Sequence, residues 1–209
     1  MTPPSWGIPV VVVVGVLLVV IGWWWDRRRA LASGEALSDR SITEEELSDA
    51  ALPLSLPDED LSALLGARGA AATLPAGLAD SAFLTHPGRG VAAVRDALVL
   101  VTDAHLDDDR LVLPLLEAAR SRQRPLVLMA AGYSYRLLGT LRANAVTGRV
   151  TTLPLELADP GLQRRTASLC GGQVVPAADL RSGWLPDQVW GSAAGWVADA
   201  EDSWVTNAT

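Results

Sequence analysis

The pattern of hydrophobic and polar positions changes character three times along the chain. Residues 7–25 contain no charged side chain, and a helix of this length spans about 28 Å, close to the hydrocarbon thickness of a bilayer. Residues 35–60 are predominantly acidic and polar, and from residue 97 onward short apolar runs alternate with amphipathic stretches of helix length. The pattern therefore predicts a single transmembrane helix, an exposed linker and an α/β domain, in that order.

The flanks of the apolar run predict how it crosses the membrane. Trp6 precedes the run, Trp23–Trp25 end it where indole rings favour the headgroup region, and Arg27–Arg29 follow directly. Because the residues before the run carry no basic side chain, the positive-inside rule places the N-terminus outside and the rest of the chain in the cytoplasm. The alternative is a cleaved signal peptide, but the basic region and the small-residue cleavage site that it requires are not found. We expect a single-pass protein of the cell membrane.

An acidic linker follows the predicted span. Nine acidic residues and one Arg lie between Glu35 and Asp60, so this stretch is expected to be a solvated, self-repelling tether, with a partner-binding tail as the alternative. Pro57 and Gly66 favour a short helix between them. The predicted division into anchor with basic flank, linker and α/β domain is at residues 1–29, 30–72 and 73–209.

Strands and helices alternate in the predicted domain. Residues 97–102 form an apolar run that ends at Asp103, as expected of a strand buried on both faces. Acidic residues at the start and arginines at the end favour a helix over 107–122. The other predicted elements are strands at 126–131, 149–155, 173–176 and 195–198, and helices at 133–147 and 160–170. This succession indicates an α/β fold with parallel strand pairs.

The two long predicted helices are apolar on more than one face. Leu113 lies beside the inward stripe of the first helix, and Leu138 lies beside that of the second. Either a second layer buries the extra face, or the face forms an exposed groove that receives extended peptides or partner helices. Periodicity alone favours burial.

Charge and motifs argue against several classes of function. The formal net charge is −7, so the basic surface that a nucleic-acid partner needs is not expected. The sequence has no GxxxxGK[ST] loop and no spaced-glycine fingerprint, which argues against a bound nucleotide. Cys170 is the only cysteine, which excludes a disulfide framework, and no GxSxG elbow exists. We therefore expect no cofactor and no enzymatic activity.

One acidic cluster is the strongest candidate for catalytic chemistry. Asp103, His105 and Asp107–Asp109 follow a predicted strand, at the sheet edge where metals and ligands often bind, and such carboxylates could hold Mg²⁺. The simpler interpretation is a turn into a helix whose acidic first turn suits the helix macrodipole. We prefer the turn and expect no metal site, because the sequence offers no second cluster of ligands.

Four phrases stand in collinear order between Gly77 and Val205. They are GLADSAFLTHPGRG (77–90), LVLVTDAHLDDDRLVLPLLEAARSRQRPLVLMA (98–130), TLRANAVTGRV (140–150) and WGSAAGWVADAED (190–202). In this order they resemble the apical, polypeptide-binding domain of GroEL-type group I chaperonins. The second phrase is similar to the family's strand, Asp turn, LPxLE helix and RPL strand. The resemblance implies a chaperonin apical-like α/β domain.

The resemblance also implies a groove between two helices that binds apolar stretches of unfolded chains. Carried over by position, the groove residues are Leu78, Ala82, Phe83, Leu113, Leu116, Leu138, Arg142 and Ala143. Two aromatic positions of the family are aliphatic here, and one apolar position is Arg142, so the groove is expected to be smaller and more polar. The family's equatorial ATP-binding domain and hinge are not found in this sequence, so binding is expected not to need ATP.

These observations combine into one prediction of function. We expect a membrane-anchored, ATP-independent, chaperone-like protein whose partners are apolar segments of polypeptides, with the lipid bilayer contacted through residues 7–25. The alternative is a membrane scaffold or assembly module that docks one specific membrane-associated protein. Neither nucleic acid nor nucleotide is expected as a partner.

Overall fold

The computed structural model describes residue 52 and residues 56–206. The predicted transmembrane helix at residues 7–25 and most of the acidic linker lie outside the described residues. No helix in the described part is both long and apolar enough to cross a bilayer. The described residues all fall within one unit, Glu45–Thr209.

A mixed seven-stranded sheet organises the described region. Its strands are β1 (Ala72–Leu74), β2 (Ala92–Thr102), β4 (Leu126–Ala130), β6 (Thr152–Glu156), β7 (Val174–Val175), β8 (Gly191–Ala198) and β9 (Ser203–Thr206). Two short strands, β3 (His105–Leu106) and β5 (Gly132–Tyr133), pair in parallel with each other. The order in the large sheet is β1-β9-β8-β2-β4-β6, and β7 pairs with β2. Pairings among β2, β4, β6 and β7 are parallel, which confirms the predicted α/β fold with parallel strand pairs.

Helices cover both faces of this sheet. They are α1 (Asp58–Gly66), α2 (Asp109–Ser121), α3 (Tyr135–Val146), α4 (Pro160–Leu169) and α5 (Ala177–Ser182). The inner faces of α2 and α3 share one buried cluster with Leu98 and Leu128, hereafter the α2–α3 cluster. Apolar residues of α4 share another cluster with Val99 and Val127. Consecutive parallel strands joined by right-handed crossovers place α2 and α3 on the same face.

Strand β2 divides its side chains between the two clusters. Residues 97–102 are all buried. Leu98 and Leu100 face the α2–α3 cluster, whereas Val99 and Val101 face the cluster under α4, because side chains alternate along a strand. The prediction of a strand buried on both faces is confirmed. The strand begins earlier than predicted, at Ala92, because its first half pairs antiparallel with β8.

Polar side chains determine where the main helices begin. Asp108 accepts the Arg110 N–H at 2.9 Å before α2, and Ser134 accepts the Leu137 N–H at 3.3 Å before α3. Such caps satisfy backbone donors that have no partner inside a helix. The helix predicted at 107–122 therefore begins two residues later. The helix predicted at 133–147 also begins later, because Tyr133 pairs in β5.

The remaining differences from the predicted elements concern short segments. The strand predicted at 149–155 begins at Thr152, and the one predicted at 195–198 is the end of β8. The sequence does not predict β1, β3, β5, β9 or α5. Each of these has six residues or fewer, so pairing and packing with distant residues define it rather than local periodicity.

The helix predicted between Pro57 and Gly66 is confirmed as α1. It is packed rather than solvated, because Leu61 and Leu64 are buried in a third cluster with Val197 and Trp204. The end of the predicted linker is thus part of the packed domain.

Candidate functional site

The N-terminal halves of α2 and α3 are joined by a single carboxylate. Asp109 in α2 accepts hydrogen bonds from the Arg136 guanidinium at 3.0 Å and from the Thr140 hydroxyl at 3.1 Å, both in α3. The hydrogen bond and charge of Asp109 raise the pKa of Arg136. Both helices begin near the carboxyl ends of parallel strands, so they run side by side in the same direction, with this link at the N-terminal end of the seam.

Helical spacing places a row of side chains along the seam, leading away from Asp109. On α2, Leu113, Leu116 and Glu117 share the side of Asp109 by helical spacing, and on α3 Ala143 shares the side of Thr140. Leu113 is 55% exposed, whereas Leu116 is 5% exposed. We define the α2–α3 groove as the surface lined by Leu113, Leu116, Glu117, Thr140 and Ala143. Leu113, Leu116 and Ala143 are its apolar members, and Thr140 and Glu117 carry a hydroxyl and a charged group.

Leu138 and Arg142 lie on the other side of α3. Each is two residues from Thr140, which places it about 160° around the helix from the side that meets α2. Leu138 is only 9% exposed and belongs to the α2–α3 cluster, as does Phe83. Leu78 packs against the same cluster and bridges to Leu155 of β6, the strand on which α3 packs.

The predicted groove residues therefore fall into two groups. Leu113, Leu116 and Ala143 lie along the α2–α3 groove. The other group lies toward the segment that runs beside β6 and consists of Leu78, Ala82, Phe83, Leu138 and Arg142. Phe83 and Leu138 are buried, and the other three residues are half-buried. Periodicity favours burial of the second apolar face of each long helix, and the structure confirms this for Leu138 in α3. The same expectation is wrong for Leu113, whose side chain is 55% exposed.

A cleft lies beside the C-terminal ends of α2 and α3. It has a volume of about 530 Å³ and is lined by Leu56, Val94, Arg95, Ala119, Arg120, Gln123, Arg124, Pro125, Gly148, Arg149, Val150 and Thr151. Most of its arginines have carboxylate partners. Arg95 pairs with Asp60 at 3.3 Å, Arg120 with Glu117 at 2.9 Å, and Arg124 with Asp96 at 2.9 Å. The excess positive charge that faces the cleft is therefore small.

The acidic cluster between Asp103 and Asp109 has structural partners. The Asp103 carboxylate accepts the Ala177 N–H at 2.7 Å at the start of α5, Asp108 caps α2, and Asp109 joins α2 to α3. A Cβ on Gly132 would lie 2.7 Å from the His105 Nδ1, so the imidazole ring packs closely on that strand. In the part of the chain that the structure describes, no group of three or more His, Cys, Asp or Glu side chains is placed to hold a metal.

Two reactive groups are held in neutral form by burial. Desolvation raises the pKa of the Cys170 thiol to about 11, so the thiol is protonated at neutral pH and is a poor nucleophile. Burial also raises the pKa of Tyr133, whose hydroxyl donates to the Leu128 carbonyl oxygen at 2.5 Å. Both side chains act as parts of the packed core.

The structure adds residues that the sequence interpretation missed. Arg136 and Thr140 link α3 to Asp109, which the sequence interpretation had assigned to an acidic turn, and Leu52 and Leu56 pack against two clusters of the domain. The available signal for Arg136 and Thr140 was their i, i+4 spacing on one helix face. The sequence signal for Leu52 and Leu56 was a short apolar segment with prolines inside the acidic linker.

Comparisons with known proteins agree with this fold. No protein-family model matches the chain. Two crystal forms of the chaperonin gp146 from the bacteriophage EL 2 (Pseudomonas aeruginosa) are similar in structure. The first is 16% identical with a TM-score of 0.53 over 66% of this chain and 28% of that chain. The second is 15% identical with a TM-score of 0.53, over 78% of this chain and 40% of that chain.

By its fold, the described region is a mixed α/β domain similar to chaperonin domains. The expectation of a chaperonin-like fold is confirmed at this level. The present chain spans less than half the length of the chaperonin chains that it matches.

Proposed function

We propose that this α/β domain is apical-like and binds apolar segments of polypeptides in the α2–α3 groove without using ATP. The observation that carries the proposal is the half-exposed Leu113 above the buried Leu116, along two parallel helices of a chaperonin-like fold. Exposed large apolar side chains are otherwise few in the described residues, namely Tyr135 and Trp184.

The composition of the groove suits weak binding of many sequences. Its apolar members can cover a client side chain, and the Thr140 hydroxyl and the Glu117 carboxylate can bond to peptide groups. Burying one leucine side chain contributes about 1.5–3 kcal/mol, and a dissociation constant of 1 μM requires about 8 kcal/mol. A groove with one exposed leucine should therefore bind with a dissociation constant well above about 1 μM.

The second group of predicted residues contributes in a different way. Phe83 and Leu138 are already buried, so a client reaches them only if the cluster opens. Leu78, Ala82 and Arg142 are half-buried and can meet a client on the outer side of α3. Because Arg142 is charged, this side of α3 is more polar than it would be with an apolar residue at that position.

The proposal includes a membrane anchor and a cytoplasmic domain, as the apolar run and its flanks predict. Anchoring raises the local concentration of the groove near chains that emerge at the membrane. ATP independence is supported by the lack of a phosphate-binding loop in this sequence. We likewise propose that the chain has no enzymatic activity.

The test compares two exposed apolar residues in the full chain, purified in non-ionic detergent. Leu113→Glu should weaken binding of fluorescein-labelled, reduced and carboxymethylated α-lactalbumin about fivefold or more, since the groove loses an apolar contact. Trp184→Glu is the matched control, because Trp184 is 57% exposed and lies outside the groove. Fluorescence anisotropy measures both. Equal affinities for Leu113→Glu and the unchanged chain would contradict the proposal.

A further inference from the structure

The cleft beside the C-terminal ends of α2 and α3 combines guanidinium groups with buried apolar side chains. Arginine is the only charged residue type among the described residues that line it: Arg95, Arg120, Arg124 and Arg149. Val94, Ala119 and Val150 also line the cleft, and each is at most 6% exposed. Its volume of about 530 Å³ falls in the range of about 300–1,000 Å³ that small-molecule sites have. The lining therefore suits a small ligand with an apolar body and an anionic group.

One positive charge of this lining is not matched by a carboxylate. Arg95, Arg120 and Arg124 each form an ion pair with one Asp or Glu side chain. Among the described residues, no carboxylate lies within ion-pair distance of Arg149, which is exposed. A single surplus charge matches a carboxylate better than a phosphate monoester, which carries a charge of about −1.5 to −2 at neutral pH.

Arg124 is held in a fixed orientation at this cleft. Its Nε donates to the Asp96 carbonyl oxygen at 2.8 Å, and its Nη2 donates to the Ala97 carbonyl oxygen at 3.0 Å. The Asp96 carboxylate lies 2.9 Å from the same Nη2. Nη1 takes no part in these contacts, so it can donate to a ligand. A guanidinium that is already oriented loses little conformational freedom when an anion binds.

The arginines are not needed to satisfy the ends of the two helices. A helix C-terminus attracts cations because its last carbonyl groups have no partner inside the helix. Here the Ala119 carbonyl oxygen of α2 accepts the Arg124 backbone N–H at 3.1 Å. The Asn144 carbonyl oxygen of α3 accepts the Arg149 backbone N–H at 3.1 Å in the same way. Backbone groups thus close both last turns, and the guanidinium groups are available for another role.

Gln123 adds an amide to the cleft at a cost in backbone energy. It lies two residues beyond α2 with a φ of 53°, whereas the corresponding residue after α3 is Gly148 with a φ of 67°. A side chain is unfavourable at positive φ, and glycine is not. Such strained positions cluster at ligand sites, and Gln123 lines the cleft. Its amide can donate to an anionic oxygen.

We propose that this cleft binds a small carboxylate with an apolar body. Arg149 supplies the counter-ion, Arg124 and Gln123 are further donors to the carboxylate, and the buried apolar side chains of the lining cover the apolar body. The inference goes beyond the proposed function and does not depend on it, because no residue that defines the α2–α3 groove lines the cleft.

The first experiment compares two ligands of the same shape with the full chain in non-ionic detergent. Fluorine NMR titration should give 4-(4-fluorophenyl)butanoate a dissociation constant of about 1 mM or lower. The corresponding uncharged amide, 4-(4-fluorophenyl)butanamide, should bind about tenfold more weakly or worse, because it lacks the charge that Arg149 matches. Equal affinities for the two ligands, or no binding of the carboxylate, would overturn the inference.

The second experiment locates the site by substitution. Arg149→Gln should weaken binding of the carboxylate about fivefold or more and leave binding of the amide unchanged. Arg164→Gln is the matched control, because Arg164 is exposed on α4, outside the cleft. Equal effects of the two substitutions on carboxylate binding would show that the ligand binds elsewhere and would overturn the inference.

A third variant separates binding by Gln123 from its place at the end of α2. Gln123→Gly should weaken carboxylate binding about threefold, while the urea midpoint stays the same or rises because glycine suits the positive φ. An unchanged affinity together with a raised midpoint would show that Gln123 only ends the helix and would overturn its assignment as a donor.

Discussion

The Leu138 side chain lies on the second apolar face of α3 and is buried in the core. It is 9% exposed and shares a cluster with Leu137, Leu141 and Phe83. Its neighbours therefore depend on its volume for close packing. A change at Leu138 acts first on the stability of the domain and only indirectly on any ligand.

We expect Leu138→Ala to lower the free energy of unfolding by about 2–4 kcal/mol, because it leaves a cavity in a packed cluster. Leu113→Ala is the matched control on the other helix and should change the free energy by less than about 0.5 kcal/mol, since Leu113 is mostly exposed. Urea titration of the full chain in detergent, followed by tryptophan fluorescence, measures both. Equal losses for the two variants would show that Leu113 also packs in the core.

At the scale of elements, the carboxylate of Asp109 determines how α2 and α3 meet. It accepts from Arg136 and from Thr140, and the Arg136 side chain is largely exposed. An exposed ion pair contributes little to stability, whereas the hydrogen bond to Thr140 is partly buried and contributes more. The link thus connects the N-terminal parts of α2 and α3.

We expect Asp109→Ala to cost about 0.5–1.5 kcal/mol in the free energy of unfolding and to speed hydrogen exchange in the first turns of α2 and α3. Asp107→Ala, in the same acidic turn but before the helix, is the control and should stay within about 0.5 kcal/mol. Hydrogen exchange read by mass spectrometry locates the effect. Exchange that speeds up equally in both variants would show that Asp109 does not link the helices.

At the scale of the whole molecule, charge and apolar surface are separated along the chain. The acidity is concentrated between Glu35 and Asp60, while residues 61–209 carry fourteen acidic residues and thirteen Arg. A nearly neutral domain offers little long-range attraction, so the shape and apolar lining of the groove should decide its choice of partner.

We expect crosslinking in cells with the full chain to capture many different proteins, because a shallow apolar groove selects weakly. Leu113→Glu should reduce the number of captured proteins, whereas Trp184→Glu should not. Quantitative mass spectrometry of the captured proteins gives the count. Capture of only one or two proteins, at levels unaffected by Leu113→Glu, would instead favour the scaffold that docks a specific partner.

Much of the fold could be predicted from local patterns. The run at 97–102, the helix between Pro57 and Gly66 and the alternation that yields parallel pairs are all present in the structure. Helix starts shifted by two residues where a cap or a short strand intervened, as at Asp108 and Tyr133. Strands such as β1 and β9 were missed because their partners lie far away in sequence.

The sequence by itself determined which residues share a face of each helix or strand, because that depends only on spacing along the chain. It also determined the collinear phrases that resemble a chaperonin domain. Only the tertiary structure decided which faces are covered, leaving Leu113 exposed and Leu138 buried, and it packed Leu52 and Leu56 against two different clusters of the domain. The physical reason is that coverage depends on contacts between residues distant in sequence, which no local pattern encodes.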